Sequence, residues 1–276
     1  MCDYLQTNFS ENDPDLLSAQ DDLPLWSAPF GLMLLDFLPM KREMVVLDVG
    51  FGSGFPLLEL AQRLGNSSRI YGIDPLKSAH ERTRHKIKVL QITNVQLVEG
   101  NAACMPFHEK SFDLIVSNLG VNNFDTPERV LQECSRVAKS GARIALTTNP
   151  KGHMDSFYTV FAETLKELRL EDRMPDLSAH IDHRLTSDRI VAYLKDSGFR
   201  VRRTHLDHFR LRFLDGSVFL RHSLIRSGFL DDWKVLIPIP DQREFFLKLE
   251  DNLNRVSREK GELALTIPVV YVEGEK

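Results

Sequence analysis

Gly50, Gly52 and Gly54 alternate with Phe51 and Ser53 in a turn that follows the run Val46-Leu47-Asp48-Val49 and precedes Pro56. Glycine lets the backbone enter the positive-φ region and lets a ligand approach the main chain closely. Where a helix opens after such a turn, its free N–H groups and its dipole favour an anionic group, a phosphate or a carboxylate. Asp74 ends a second apolar run twenty residues beyond Gly54, where a carboxylate accepts hydrogen bonds from two ribose hydroxyls. The dinucleotide fingerprint G-x-G-x-x-G is not met, since the spacing here is G-x-G-x-G with Phe at position 55. An acid at position 74 serves more than one class of nucleoside cofactor and does not choose between them.

These residues need a scaffold, and the surrounding pattern supplies one. Short runs rich in β-branched residues at 45–49, 69–74, 95–99, 112–118 and 143–148 predict buried parallel strands. Helical stretches at 56–64, 76–90 and 127–138 lie between them. Pro56 and Pro127 fall where a first helical turn tolerates proline, and Gly65 and Gly141 follow helix ends. An apolar stretch at 26–38 reads as a further helix closed by Pro39. The alternation predicts an α/β fold with a parallel sheet covered on both faces. The glycine turn and Asp74 then lie at the carboxyl ends of the strands, where ligands of such sheets bind.

The second half is less regular. Helices are predicted at 156–170, 190–196, near 217–226 and at 242–259, with a polar loop through 174–185. Segments 199–206 and 208–214 read as strands. The last run, 263–272, is a strand interrupted by Pro268, which implies a bulge or an edge position. The expected organisation is an acidic leader over 1–24, a core over 25–206 with 151–185 contributing to a cap, a cap insertion over 207–262, and a final core strand within 263–276.

The segment VLDVGFGSG resembles the first motif of the class I S-adenosylmethionine-dependent methyltransferases, and YGIDP resembles their second strand with its ribose-binding acid. Residues 99–107 and 111–115 resemble the third and fourth motifs, in order and at the usual spacing across about residues 40–150. Asn101 with Ala102, and Gly120 to Asn123, are similar to the ubiquinone- and menaquinone-biosynthesis C-methyltransferases. The resemblance implies a Rossmann-like, seven-stranded, mostly parallel sheet and S-adenosyl-L-methionine as cofactor. It implies that Gly50, Gly52 and Gly54 pass under the methionine moiety while Asp48 orients the loop or the amino group. Asp74 would hold the ribose, Asn101 and the Ala102 backbone would meet the adenine, and Asn118 would face the cofactor near the reacting methyl. Phe51 stands where relatives often carry a small residue.

Methyl transfer asks little acid–base chemistry of the protein: the site aligns a nucleophile behind the methyl and excludes water. A base is needed only if the acceptor must lose its proton early, so no catalytic residue is assigned. Asn122 after the fourth strand, and His153 and Tyr158 after the fifth, are candidates for the acceptor wall. His153 reads either as a base or as an exposed loop histidine. Phe209, Phe213, Phe219 and Phe229 would line an apolar pocket or form the core of the cap.

Composition removes several other classes. The chain has 276 residues, 42% of them hydrophobic, and a net charge of −4, which excludes disorder for its bulk. No apolar run approaches a membrane span. The first 24 residues hold six acids and no Lys or Arg, the wrong charge for a signal peptide. Cys2, Cys104 and Cys134 form neither a disulfide framework nor a metal cluster, and no metal site is expected near His180 and His183 or His205 and His208. A reducing cytoplasm is the expected setting. Arginines at 200, 202, 203, 210, 212, 221 and 226 would meet an anionic substrate or RNA, or form a solvated face with ion pairs, such as to the acidic leader. No aromatic stacking module accompanies them, so nucleic acid is not the expected partner. The expected activity is methyl transfer to O, N or C of a small, partly apolar metabolite. An RNA or protein acceptor, a cofactor-binding regulatory protein and a nicotinamide-dependent oxidoreductase are the rivals.

Overall fold

The computed structural model describes Leu5 and residues 24–276. The acidic leader otherwise lies outside the described residues. Seven strands form one sheet in the order β3-β2-β1-β4-β5-β7-β6. They are β1 (Val45–Val49), β2 (Arg69–Asp74), β3 (Val95–Glu99), β4 (Phe112–Asn118), β5 (Ala138–Thr148), β6 (Arg200–Phe213) and β7 (Leu263–Glu275). The pairs β1–β2, β1–β4, β2–β3 and β4–β5 are parallel, and β5–β7 is antiparallel. This is the Rossmann-like, mostly parallel sheet that the alternating pattern demands.

The strand residues sort by the two-residue period of a pleated strand. Val46, Leu114, Val116, Ala145 and Tyr271 face one side. There they meet helices α1 (Pro24–Phe37), through Leu34 and Leu35, and α2 (Leu57–Leu64), through Leu57, Leu60 and Ala61. The next residues along the same strands, Leu47, Ile115, Ile144, Leu146, Val270 and Val272, face the other side. They pack on α4 (Pro127–Val137) and α7 (Ser187–Asp196) through Leu131, Cys134, Ile190 and Leu194. Helix α3 (Lys77–Val89) follows β2.

Several elements differ from the expectation. The segments 199–206 and 208–214 join in one continuous strand, β6, which lies largely exposed at the edge of the sheet. Strand β7 is interior, between β5 and β6, and not an edge. Pro268 is tolerated because β5 pairs with residues 270–275 only, so no β5 ladder bond needs its missing N–H. The polar stretch 174–185 contains a helix, α6 (Met174–Asp182). Helix α7 is capped by Thr186, whose hydroxyl accepts from the Arg189 N–H at 3.2 Å.

The chain divides into two compact units. Of the described residues, the sheet-based unit contains 24–150, Leu185–Asp207 and Val269–Lys276, and the second contains Leu5, Lys151–Arg184 and His208–Pro268. The second unit has its own aromatic core on α5 (Asp155–Glu167), α8 (Gly216–Arg221), α9 (Ser223–Gly228), α10 (Leu230–Val235) and α11 (Ile239–Lys260). Phe157 and Trp233 meet at 4.2 Å between ring centres, and Phe161 and Phe245 at 4.6 Å. Phe219 is fully buried in it and Phe229 nearly so, while Phe209 and Phe213 are half-buried. The arginines of β6 pair locally: Arg200 and Arg202 with Glu275, and Arg212 with Glu262.

Candidate functional site

The turn after β1 is fixed from three directions. Gly50 donates its N–H to the Ile73 carbonyl at 2.8 Å, and Gly52 donates to Asp74 Oδ2 at 3.0 Å. Gly54 closes the turn by donating to the Phe51 carbonyl at 2.9 Å. From α3, the Thr83 hydroxyl donates to the Gly52 carbonyl at 3.2 Å and Lys86 Nζ to the Ser53 carbonyl at 2.7 Å. The three glycine amides are therefore already bonded. They do not themselves supply free donors for an anion. Their contribution is shape: φ is +79° at Gly50 and +52° at Gly52, and a Cβ on Gly52 would point into open space. The turn thus offers a bare main-chain surface to a ligand.

Phe51 explains how the turn accepts a bulky residue. Its ring points inward, 1% exposed, and lies where Gly72 of β2 has no side chain. A Cβ on Gly72 would come within 2.6 Å of the Phe51 ring. His80 meets the same ring edge-on at 4.9 Å and holds the Asp74 carbonyl through Nε2 at 2.9 Å. Neither Gly72 nor His80 is singled out by the sequence pattern, since their significance depends on β2 and α3 lying beside the turn.

Two acids lie under and beside this surface. Asp74, at the end of β2, accepts from the Gly52 N–H through one oxygen and from the Leu76 N–H at 2.9 Å through the other. Each oxygen keeps acceptor capacity for a diol. Asp48 is completely buried, and neither of its oxygens has a hydrogen-bond partner among the described residues. Burial first, and the nearby Asp74 charge second, push its carboxyl up to about 8. The Leu57 amide opposes this shift without reaching hydrogen-bond geometry. A buried carboxyl with nothing to bond is costly, and a cation brought to it would relieve that cost.

The other candidates fall into three groups. Asn118, at the end of β4, accepts from the Thr147 hydroxyl at 2.8 Å and donates to the Ser27 carbonyl of α1 at 3.4 Å. Asn101 is exposed and accepts from the Ala103 N–H at 2.8 Å, with Ala102 half-buried beside it. These share the sheet-based unit with the glycine turn and Asp74. Asn122 belongs to the same unit, but its side chain is fully engaged in joining loops. Its Nδ2 donates to Thr148 Oγ1 at 2.9 Å and to the Asn149 carbonyl at 2.8 Å, and its Oδ1 accepts from the Leu185 N–H at 3.3 Å. His153 and Tyr158 belong to the second unit. His153 is not an exposed loop histidine; it is 2% exposed, and burial holds its imidazole well below the ordinary value. Among the described residues no group of side chains is arranged to hold a metal ion, and no helix is long and apolar enough to cross a membrane.

Residues 47–146, from β1 into β5, match the methyltransferase domain family. By that match this segment resembles a methyltransferase domain. It contains the glycine turn, Asp48, Asp74, Asn101 and Asn118. A demethylmenaquinone methyltransferase of Geobacillus sp. is 35% identical over 110 residues, covering 38% of this chain and 47% of that protein. The chain thus spans about half the length of the curated relatives it matches. A SAM-dependent methyltransferase from Aquifex aeolicus superposes with a TM-score of 0.55 at 23% identity, covering 70% of this chain and 91% of that one. The cyclase SpnF superposes with a TM-score of 0.54 at 14% identity, covering 90% and 80%. Likeness at that level concerns the fold alone, and the two names differ in chemistry. What the methyltransferase domain acts on must come from its own residues.

Proposed function

We propose that the chain is an S-adenosyl-L-methionine-dependent methyltransferase acting on a small, partly apolar metabolite in a cytoplasmic setting. The observation that carries this reading is the unpartnered, buried carboxyl of Asp48 beneath an open glycine surface and beside Asp74. The residues fit the cofactor. Asp48 would take its ammonium group, the bare main chain at Gly50 and Gly52 would let the methionine moiety pass, and Asp74 would receive the ribose diol. Asn101 and Ala102 would meet the adenine edge, and Asn118 the region of the methyl. The cofactor supplies a methyl group already activated by its sulfonium. The chain's own work is to hold the ammonium and diol ends, fix the methyl direction and keep water out.

The test is calorimetric titration of S-adenosylhomocysteine into the protein, followed by transfer of labelled methyl to a panel of small acceptors. The panel includes demethylmenaquinone, after the name of the relatives. Binding of S-adenosylhomocysteine and not of NAD is the expected outcome, and the reverse would overturn the cofactor. Binding with no transfer to any acceptor would favour a regulatory cofactor-binding protein.

A further inference from the structure

The second unit contains a polar cluster built around Tyr158 of α5. The Tyr158 hydroxyl lies 3.0 Å from His180 Nε2 on α6, and Trp233 Nε1 of α10 donates to it at 3.3 Å. His153, in the turn before α5, stacks on Phe229 at 5.5 Å and 24°, and Phe229 stacks in turn on Trp233 at 6.0 Å and 23°. Three helices and a turn thus bring a phenol, two imidazoles and a wall of rings together.

Arg184 is the cation of this cluster. It is half-buried, and its Nε is sealed from solvent without a hydrogen-bond partner among the described residues. No carboxylate pairs with it there: Asp182, two residues earlier, is held by Lys151. Asp232 is exposed and supports the Arg184 charge less than burial opposes it. The charge is felt at Tyr158, His153 and His180, where burial is the larger influence and keeps the phenol and both imidazoles neutral. A guanidinium withdrawn from water beside neutral groups is costly unless an anion completes it.

We infer that Arg184 anchors a subsite for a carboxylate borne on an apolar or aromatic body, with Tyr158 and His180 as hydrogen-bonding neighbours. The planar guanidinium fork matches a carboxylate in two parallel bonds, and the buried rings of His153, Phe229 and Trp233 make its surroundings apolar. The anion chemistry of this subsite belongs to the helical unit alone and does not depend on the proposed methyl transfer.

The experiment titrates 2-naphthoate and its neutral counterpart 2-naphthamide into the full chain, with S-adenosylhomocysteine titrated separately. Naphthoate should bind at least about tenfold more tightly than the amide. Arg184→Gln should abolish that preference, and Arg184→Lys should leave part of it, while both variants bind S-adenosylhomocysteine within about twofold of the parent. Equal binding of acid and amide, absence of naphthoate binding, or a preference that survives in Arg184→Gln would each overturn the subsite. If Arg184→Gln fails to fold, the acid-against-amide comparison on the unaltered chain still decides. Failure of S-adenosylhomocysteine to bind, with the naphthoate preference intact, would overturn the cofactor reading alone.

Discussion

Among the described residues, each unit withdraws from water an ionisable side chain that has no counter-ion, Asp48 in one and Arg184 in the other, and the two cases differ in sign and in depth. Asp48 lies at zero exposure inside the sheet-based unit, whereas Arg184 is only half-buried in the helical one. A carboxyl can escape its cost by keeping its proton, and burial does drive Asp48 in that direction. A guanidinium has no such escape, because it stays protonated throughout the physiological range. The difference teaches how each site is kept ready. The Asp48 site is neutral until a cation arrives, while the Arg184 site carries its charge at all times and is moderated only by partial exposure.

The sharpest way to break this comparison is to close the surface above Asp48. Gly52→Val places a β-branched side chain at φ +52°, where a Cβ points into open space. Left-handed backbone costs such a residue about 1–2 kcal/mol or more, and the side chain would stand in the ligand's path. The affinity for S-adenosylhomocysteine should fall by more than about a hundredfold, near 2.7 kcal/mol. A calorimetric affinity within tenfold of the parent would show that the turn is not the cofactor surface.

The second test exploits the proton on Asp48. Its folded pKa of about 8 lies above the ordinary value of 3.8, so the native state binds more protons than the unfolded state between those limits. Stability should therefore fall as pH rises from about 4 to about 8, by as much as about 5 kcal/mol, and level off above. Asp48→Asn removes the titration. The variant should be more stable than the parent at pH 8, with the gap closing towards pH 4, and should bind S-adenosylhomocysteine more weakly. Urea unfolding at the two pH values checks the first expectation; a gap independent of pH would mean that Asp48 is not held neutral by the fold. Asp74→Ala should act less strongly, costing about 1–3 kcal/mol of cofactor affinity through lost charge-assisted hydrogen bonds. It also frees the Gly52 and Leu76 amides, so its melting temperature should fall, unlike that of Asp48→Asn at pH 8.

The same contrast governs what the sequence discloses. Central parallel strands are apolar on both faces and bounded by turn residues, so β1, β2 and β4 fall where their β-branched runs place them. The glycine turn and both acids are legible for the same reason, since strand ends position them locally. Strand β6 is less so: its arginines and histidines alternate on an exposed edge, and nothing local distinguishes that from two shorter strands. Helix α6 buries only Leu177, so its apolar periodicity is faint. His153 owes its burial to Phe229, and Phe51 owes its fit to the gap at Gly72; each depends on a distant partner. Arg184 is harder still. Its significance lies in the lack of an acid beside it among the described residues, and a missing partner has no signature in a sequence.

The smallest effect is also the one that separates the two charges most directly. Replacing Arg184 by Gln removes a partly desolvated cation for which the described residues provide no counter-ion. Solvent screens much of that cost, so the folded protein should gain only about 0.5–1 kcal/mol, a rise of a few degrees at most in melting temperature. Such a gain with loss of ligand preference is the usual mark of a residue retained for binding and not for stability. Because guanidinium does not titrate in the working range, the gain should change between pH 9 and pH 5 only through His153 and His180, whose protonation the Arg184 charge opposes, and should be the larger at pH 5. The gain from Asp48→Asn should depend strongly on pH. Parallel thermal melts of the two variants at both pH values make the comparison. If Arg184→Gln destabilises the chain, the guanidinium has a structural partner in the folded state, and the contrast between an acid that sheds its charge and a base that keeps it loses its second half.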